Sequence, residues 1–239
     1  MRQFFLFLVF GCAMMGVAAK DELIDETLKY AKGHQDFKDL YFKQHEQEFV
    51  RLVEQGQSPQ TLYIGCSDSR VVPSLITNTR PGDLFVIRTA GNFVPPFQET
   101  CPDGVAATLQ YALEVLGVKH IIVCGHSHCG AIKGLYDKLD PAKLGLVDKW
   151  IRYGEPAKKM AMQTINDKGS KEQLYEVTEK ISVIFQLENL LTYPFIKKRV
   201  DDKQLELHGW YYTIETGEID YYDPELYTFK DLITKISSK

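Results

Sequence analysis

Two short segments of this 239-residue chain carry side chains able to do chemistry: Cys66-Ser-Asp-Ser-Arg70 and His126-Ser-His-Cys129. Together they offer two thiols, an imidazole and a carboxylate–guanidinium pair. Thiolate and imidazole are ligand types that favour zinc. Three such donors, Cys66, His126 and Cys129, with no obvious fourth, point to a metal with one open position, as catalytic sites keep. Two thiolates acidify a metal-bound water less than three imidazoles would, so a further group favouring hydroxide would help. Asp68 can accept a hydrogen bond from that hydroxide, and Arg70 can hold the carboxylate ionised by a bidentate contact. The alternation Cys-x-Asp-x-Arg predicts an extended segment, where alternate side chains point the same way. The competing reading of Asp68 and Arg70 is a surface ion pair.

These residues need a scaffold that ends strands beside one another. Thr61-Leu-Tyr-Ile-Gly65 reads as a buried strand with Cys66 at its carboxyl end, and Asp83 to Arg88 as a second, introduced by the Pro81-Gly82 turn. Asp103 predicts an N-cap for a helix with Val105, Leu109, Ala112, Leu113 and Leu116 on one face, closed by Gly117. His120-Ile-Ile-Val-Cys124 is the third strand, with His126 just past it and a helix resuming near Ala131. Strand, helix, strand implies parallel pairing with right-handed crossovers, and such sheets place ligands beyond the carboxyl ends of their strands. Lys171 to Leu191 predicts a long amphipathic helix, and 205–214, a turn at 215–217 and 218–222 predict a hairpin. The expected fold is α/β: about four mostly parallel strands plus an antiparallel edge strand, flanked by helices. An N-terminal helical arm over 20–55, broken at Gly33, precedes a catalytic domain over 56–239. The arm's apolar stripes need its own core or a partner subunit to pack on.

A formal charge of −4 with acids and bases interspersed leaves no electrostatic footprint for nucleic acid. Residues 1–19 differ from the rest: Arg2 precedes an uncharged run from Phe4 to Val17, and Val17-Ala18-Ala19 offers small residues for signal cleavage before Lys20. The run is too short for a membrane span. An exported, periplasmic chain is therefore expected, with a lipid anchor at Cys12 as the lesser alternative. Export leaves four cysteines, so a Cys66–Cys129 disulfide competes with the metal reading, and Cys101–Cys124 is a further formal pairing. His126, three residues before Cys129, favours metal, because a disulfide needs no imidazole. Cys124 reads as a small buried hydrophobe.

The two segments resemble the β-class carbonic anhydrases. The resemblance also takes in Gln57-Ser-Pro, Pro81-Gly82, Gly125 and Gly130 around the second segment, Gln186-Leu-Glu-Asn-Leu190 and Tyr193-Pro194, and covers nearly all of the mature chain. It implies a zinc enzyme, with one Zn2+ per chain, that interconverts carbon dioxide and bicarbonate and assembles as a homodimer or dimer of dimers. By the resemblance, Cys66, His126 and Cys129 are the zinc ligands. Asp68 accepts the hydrogen bond of the hydroxide or binds the metal at rest, and Arg70 pairs with it. Gln57 matches an amide that binds the substrate oxygen, and the Gly130 N–H matches a donor near the metal. Phe85, Ala90 and Tyr111 match positions lining the substrate pocket, some reached across a dimer interface. Plain core roles for Phe85 and Tyr111, and a plain loop role for Gln57, are the competing readings. Ala90 replaces a bulkier aliphatic residue of many relatives, and Tyr63 replaces a tryptophan that some use in an inhibitory bicarbonate site. His128 invites a proton-shuttle role but varies among relatives, and His34, His45, His120 and His208 read as ordinary surface or core residues. Two other functions compete: hydrolysis of carbon disulfide or carbonyl sulfide on the same scaffold, and a non-catalytic zinc protein, which requires a fourth protein ligand.

Overall fold

The computed structural model describes residues 17–100, 103–165 and 169–237. The chain divides into two compact units, 1–56 and 57–239. The first is helical: α1 (Val17–Asp36), a π-helical stretch (Phe37–Phe42) and α2 (Lys43–Gln55). Gly33 does not break it. A glycine costs an exposed helix only about 1 kcal/mol, and α1 runs through it; the helix is disturbed instead at Phe37–Phe42. Phe37, Tyr41, Phe42 and Phe49 gather there, with Phe42 and Phe49 ring centres 5.1 Å apart. Most of the expected signal segment, and Cys12 and Cys101, lie outside the described residues. The predicted cleavage site after Ala19 falls within α1.

The second unit is an α/β sandwich around a six-stranded sheet. Its strands are β1 (Thr61–Cys66), β2 (Leu84–Thr89), β3 (His120–His126), β4 (Glu206–Tyr212), β5 (Ile219–Asp223) and β6 (Thr228–Asp231), in the order β2-β1-β3-β4-β5-β6. The first four are parallel, and β5 and β6 run antiparallel at one edge. The expected four parallel strands and the hairpin are all present. The hairpin closes at Gly217, whose φ of 78° suits glycine. Strand β6 is additional. Its four residues, Thr-Phe-Lys-Asp, carry little pattern, and they join the sheet through Phe229 against Tyr222 and a 2.7 Å Lys230–Asp223 ion pair.

Helices cover the sheet: α3 (Pro73–Thr77), α4 (Gly104–Gln110, continued by a π-helical turn to Val115), α5 (Gly130–Gly134), α6 (Pro141–Ile151), α7 (Glu155–Ile165), α8 (Lys171–Leu191), α9 (Pro194–Asp201) and α10 (Leu232–Ser237). Asp103 caps α4 by accepting the Ala106 N–H at 2.8 Å, and a Ser170–Gln173 capping box opens α8. The main core joins Leu62 and Ile64 of β1, Ile121 and Val123 of β3, and Val183 and Leu190 of α8.

Polar groups on α8 and in the turn after it fix the loop that leaves β2. Gln186 Oε1 accepts the Val94 N–H at 2.8 Å, Asn189 Nδ2 donates to the Val94 carbonyl at 2.8 Å, and the Tyr193 hydroxyl donates to the Pro95 carbonyl at 2.8 Å. Two glycines let α8 approach the sheet. A Cβ on Gly125 would lie 2.7 Å from Val183 Cγ2, and one on Gly209, on the neighbouring strand, 3.0 Å from Val183 Cγ1. Gly125→Ala is therefore expected to destabilise the fold by about 1–3 kcal/mol through overpacking. Denaturant unfolding should show a lower midpoint, partly restored by adding Val183→Ala; an unchanged midpoint for the single variant would refute the close approach.

Candidate metal centre

Parallel pairing brings the ends of β1 and β3 together. Gly65 is in register with Cys124, so Cys66 ends β1 beside Gly125 and His126 ends β3. Cys129 follows at the N-cap of α5. One donor atom from each of Cys66, His126 and Cys129 lies within 4.8 Å of the other two, and all three residues are buried. Cys66, Cys124 and Cys129 are free thiols in this structure, with Cys66 and Cys129 not bonded to each other. Cys124 is wholly buried, as a small hydrophobe would be, and burial pushes its thiol up to about 12.

Hydrogen bonding selects the donor atom of each residue. His126 Nδ1 lies 2.8 Å from the Ser127 carbonyl, which can only accept, so Nδ1 carries the proton. His126 Nε2 is left buried with no hydrogen-bond partner. Backbone N–H groups of Asp68 and Gly91 donate to Cys66 Sγ at 3.4 and 3.3 Å, which favours thiolate. The two thiols share one proton: contact with Cys129 pulls Cys66 down, and contact with Cys66 pushes Cys129 up. Burial disfavours a charged His126, but the Cys66 thiolate beside it prevails and raises its pKa. Two thiols and an orphaned imidazole nitrogen converging on one point fit a zinc ion. Among the described residues no fourth donor joins the group.

Asp68 and Arg70 stand beside it in a turn, not in the extended segment expected. The Asp68 carboxylate accepts the Arg70 backbone N–H at 3.0 Å, and the Val71 N–H donates to the Asp68 carbonyl at 3.0 Å. An aspartate that can bond its own backbone two residues on prefers this turn to a strand. The guanidinium closes a fork on the carboxylate, Nε to Oδ1 at 2.9 Å and Nη2 to Oδ2 at 2.7 Å. Those bonds hold Asp68 well below the usual carboxylate range. With both oxygens so engaged, Asp68 is not one of the grouped metal donors.

The remaining expected residues are spread more widely. Ala90 is exposed, and its carbonyl accepts the Trp150 indole N–H at 2.8 Å. Phe85, half-buried on β2, meets the exposed Tyr111 at 5.9 Å between ring centres. Gln57 is exposed at the start of the second unit, and Gly130 is the exposed first residue of α5. No hydrogen bond or ring contact among the described residues links Gln57, Phe85 or Tyr111 to the three donors. His128 adopts a positive φ of 57° and pairs with Glu215, which also accepts the Ser127 hydroxyl at 2.7 Å.

Two supporting residues escape a reading of the sequence. Arg88, at the end of β2, donates to the carbonyls of Cys66 at 2.9 Å and Asp68 at 2.7 Å, clamping the turn. Glu179, on the buried face of α8, accepts the Cys129 N–H at 2.8 Å and the Tyr211 hydroxyl at 2.8 Å. Burial raises its pKa against both bonds. The available signal was an acid on the helix face that also carries Val183 and Leu190, seven residues before Gln186.

Comparison with known proteins agrees with this geometry. The family model described as carbonic anhydrase matches residues 61–219. A carbonic anhydrase from Synechocystis is 45% identical over 200 residues, covering 83% of this chain and 72% of its own. One from Helicobacter pylori strain J99 is 39% identical over 210 residues, covering 84% and 94%. The solved structure of the β-carbonic anhydrase CcaA superposes with a TM-score of 0.80 at 42% identity, covering 87% of this chain and 92% of that one. Two tetrameric β-carbonic anhydrases from the ascomycete Sordaria macrospora are represented by a structure with a TM-score of 0.71 at 28% identity, covering 82% and 96%. The chain belongs to the carbonic anhydrase family, in its β class. It is a zinc lyase that hydrates carbon dioxide reversibly to bicarbonate.

Partners of metal ligands commonly tune metal affinity by 10–100-fold. Glu179→Ala, which strips the Cys129 N–H and the Tyr211 hydroxyl of their acceptor, is expected to weaken zinc binding about tenfold or more. Glu179→Gln, which can still accept the Cys129 N–H, should retain most of the affinity. Chelator competition measures both; equal affinity in the wild type and Glu179→Ala would remove Glu179 from the support of the site.

Proposed function

We propose that Asp68 and Arg70 direct the hydration step in this enzyme. The observation that carries the reading is the forked Asp68–Arg70 contact beside the three converging donors. Zinc, when bound, acts as a Lewis acid that makes water a competent nucleophile near neutral pH. Asp68, kept ionised by Arg70, can only accept a hydrogen bond. A water or hydroxide that donates to it is turned so that a lone pair faces carbon dioxide. Arg88 and Glu179 hold the backbone on either side of this point, so the accepting oxygen keeps its place. Gln57 donates its amide N–H to a substrate oxygen, and the Gly130 N–H adds a donor. Phe85, Ala90 and Tyr111 form the apolar wall, which a second copy completes; the exposure of Ala90 and Tyr111 in the single chain supports that arrangement. The Asp68–Arg70 pair has no use in a non-catalytic zinc protein, and nothing observed favours carbon disulfide as substrate.

Stopped-flow hydration assays on zinc-quantified protein test the assignment. Cys66→Ala is expected to lose zinc and activity together. Asp68→Asn should keep its zinc yet lose most turnover near pH 7, because an amide can donate where only acceptance is productive. A wild-type pH–rate profile in Asp68→Asn would defeat this role.

The chain is exported to the periplasm and works as a dimer or dimer of dimers. The basic and apolar composition of residues 1–19 supports the first point. Exposed Val86, Tyr111 and Val115 and the tetrameric Sordaria relatives support the second. Protein recovered from an exporting host should begin at Lys20 by mass spectrometry and scatter light as a dimer or larger. An intact N-terminus or a monomer would refute the corresponding point.

A further inference from the structure

We propose that His120, Glu206 and His208 form a second metal site, for a late first-row divalent cation such as Zn2+, at the opposite end of the sheet from the thiolates. His120 opens β3 directly in register with Glu206, which opens β4, and Ile122 is in register with His208. Register partners share a face and alternate residues return to it, so all three side chains leave the same face of two adjacent strands. His120 Nδ1 lies 3.2 Å from His208 Nε2, and Glu206 Oε2 lies 3.6 Å and 3.7 Å from these nitrogens. The point equidistant from three atoms so spaced is about 2.0 Å from each, the length of a zinc–imidazole or zinc–carboxylate bond. A cation there needs no strand to move and no side chain to cross the sheet.

The backbone beneath is fixed. The Glu206 N–H donates to the Lys119 carbonyl at 2.9 Å and the His120 N–H to the Gln60 carbonyl at 3.1 Å. Two imidazoles and one carboxylate suit zinc, copper(II) or nickel(II) and disfavour magnesium and calcium, which take oxygen donors. Glu206 is 70% exposed in its side chain, so an ion reaches the site from solvent, and water fills its remaining positions. His126 lies six residue steps along β3 from His120, roughly 20 Å of extended strand, so the two sites do not share ligands. Without metal, the pair relaxes to an imidazole–imidazole hydrogen bond, one ring donating and the other accepting.

The full chain, carrying one zinc and freed of excess, is titrated with Zn2+ in a calorimeter. The wild type is expected to take up a second equivalent. The His120→Ala/His208→Ala double variant should take up none beyond the first, with carbon dioxide hydration unchanged. Glu206→Gln should bind the second equivalent more weakly. Absence of a second equivalent in the wild type, or its persistence in the double variant, would overturn the proposal. Unaltered affinity in Glu206→Gln would overturn the part given to the carboxylate.

Discussion

Parallel register between β1 and β3 is the constraint on which the rest of this molecule depends. Side chains alternate along a strand, so Cys66 leaves β1 on the face of Leu62 and Ile64, and His126 leaves β3 on the face of Ile122 and Cys124. Donors on opposite faces could not meet in the middle of a sheet. They meet here because both strands end, and no further ladder stands between the thiolate and the imidazole. Gly125, beside Cys66, adds no side chain to that space. A slip of one residue would exchange the faces of every core residue on β3, so the same packing that stabilises the sheet also sets the metal geometry.

Magnitudes separate what stabilises the fold from what shapes the site. The Asp68–Arg70 pair leaves the guanidinium 48% exposed, and ion pairs of that kind contribute about 0–1 kcal/mol. Its worth lies in fixing the protonation and direction of one carboxylate. Glu179 and Gln186 present the opposite case. Each is a polar group buried on α8, and leaving either without partners would cost about 1–3 kcal/mol. Their partners are backbone groups at Cys129 and Val94, in the two loops that flank the metal centre. One helix thus packs the core through Val183 and Leu190 and pins those loops through Glu179 and Gln186.

The sequence exposed this plan unevenly. The strand that brings Cys66 to its end, the third strand as far as Cys124, the Asp103 cap, the helix from Lys171 and the hairpin closed at Gly217 follow from local pattern, and so does the set of three donors. The third strand itself runs two residues further, to His126. Contacts that join distant segments leave no such local trace. Arg88 reads as the polar end of a strand until its two carbonyl acceptors are seen, and Glu179 lies fifty residues from the amide it serves. Local pattern is ambiguous too where two local preferences compete. The Cys-x-Asp-x-Arg alternation favours a strand, but Asp68 bonds the Arg70 N–H and makes a turn. Gly33 looks like a break, yet the aromatic cluster four residues on is where the helix departs from α geometry.

The two ends of β3 show how setting decides what a histidine does. His126 is buried, its Nδ1 proton committed to a carbonyl, and its other nitrogen faces two thiols. Desolvation there penalises any state in which Nε2 lacks a partner, so the fold itself favours a bound ion, and the soft thiolates select zinc. His120 is partly exposed to solvent and has a second imidazole and a carboxylate for company. Its ring is satisfied with or without metal, so no comparable desolvation penalty drives binding. The thiolate centre would therefore hold its ion more tightly, whereas occupancy at the imidazole end would follow the free metal concentration around the protein. An ion there would bridge β3 and β4 without touching the reaction.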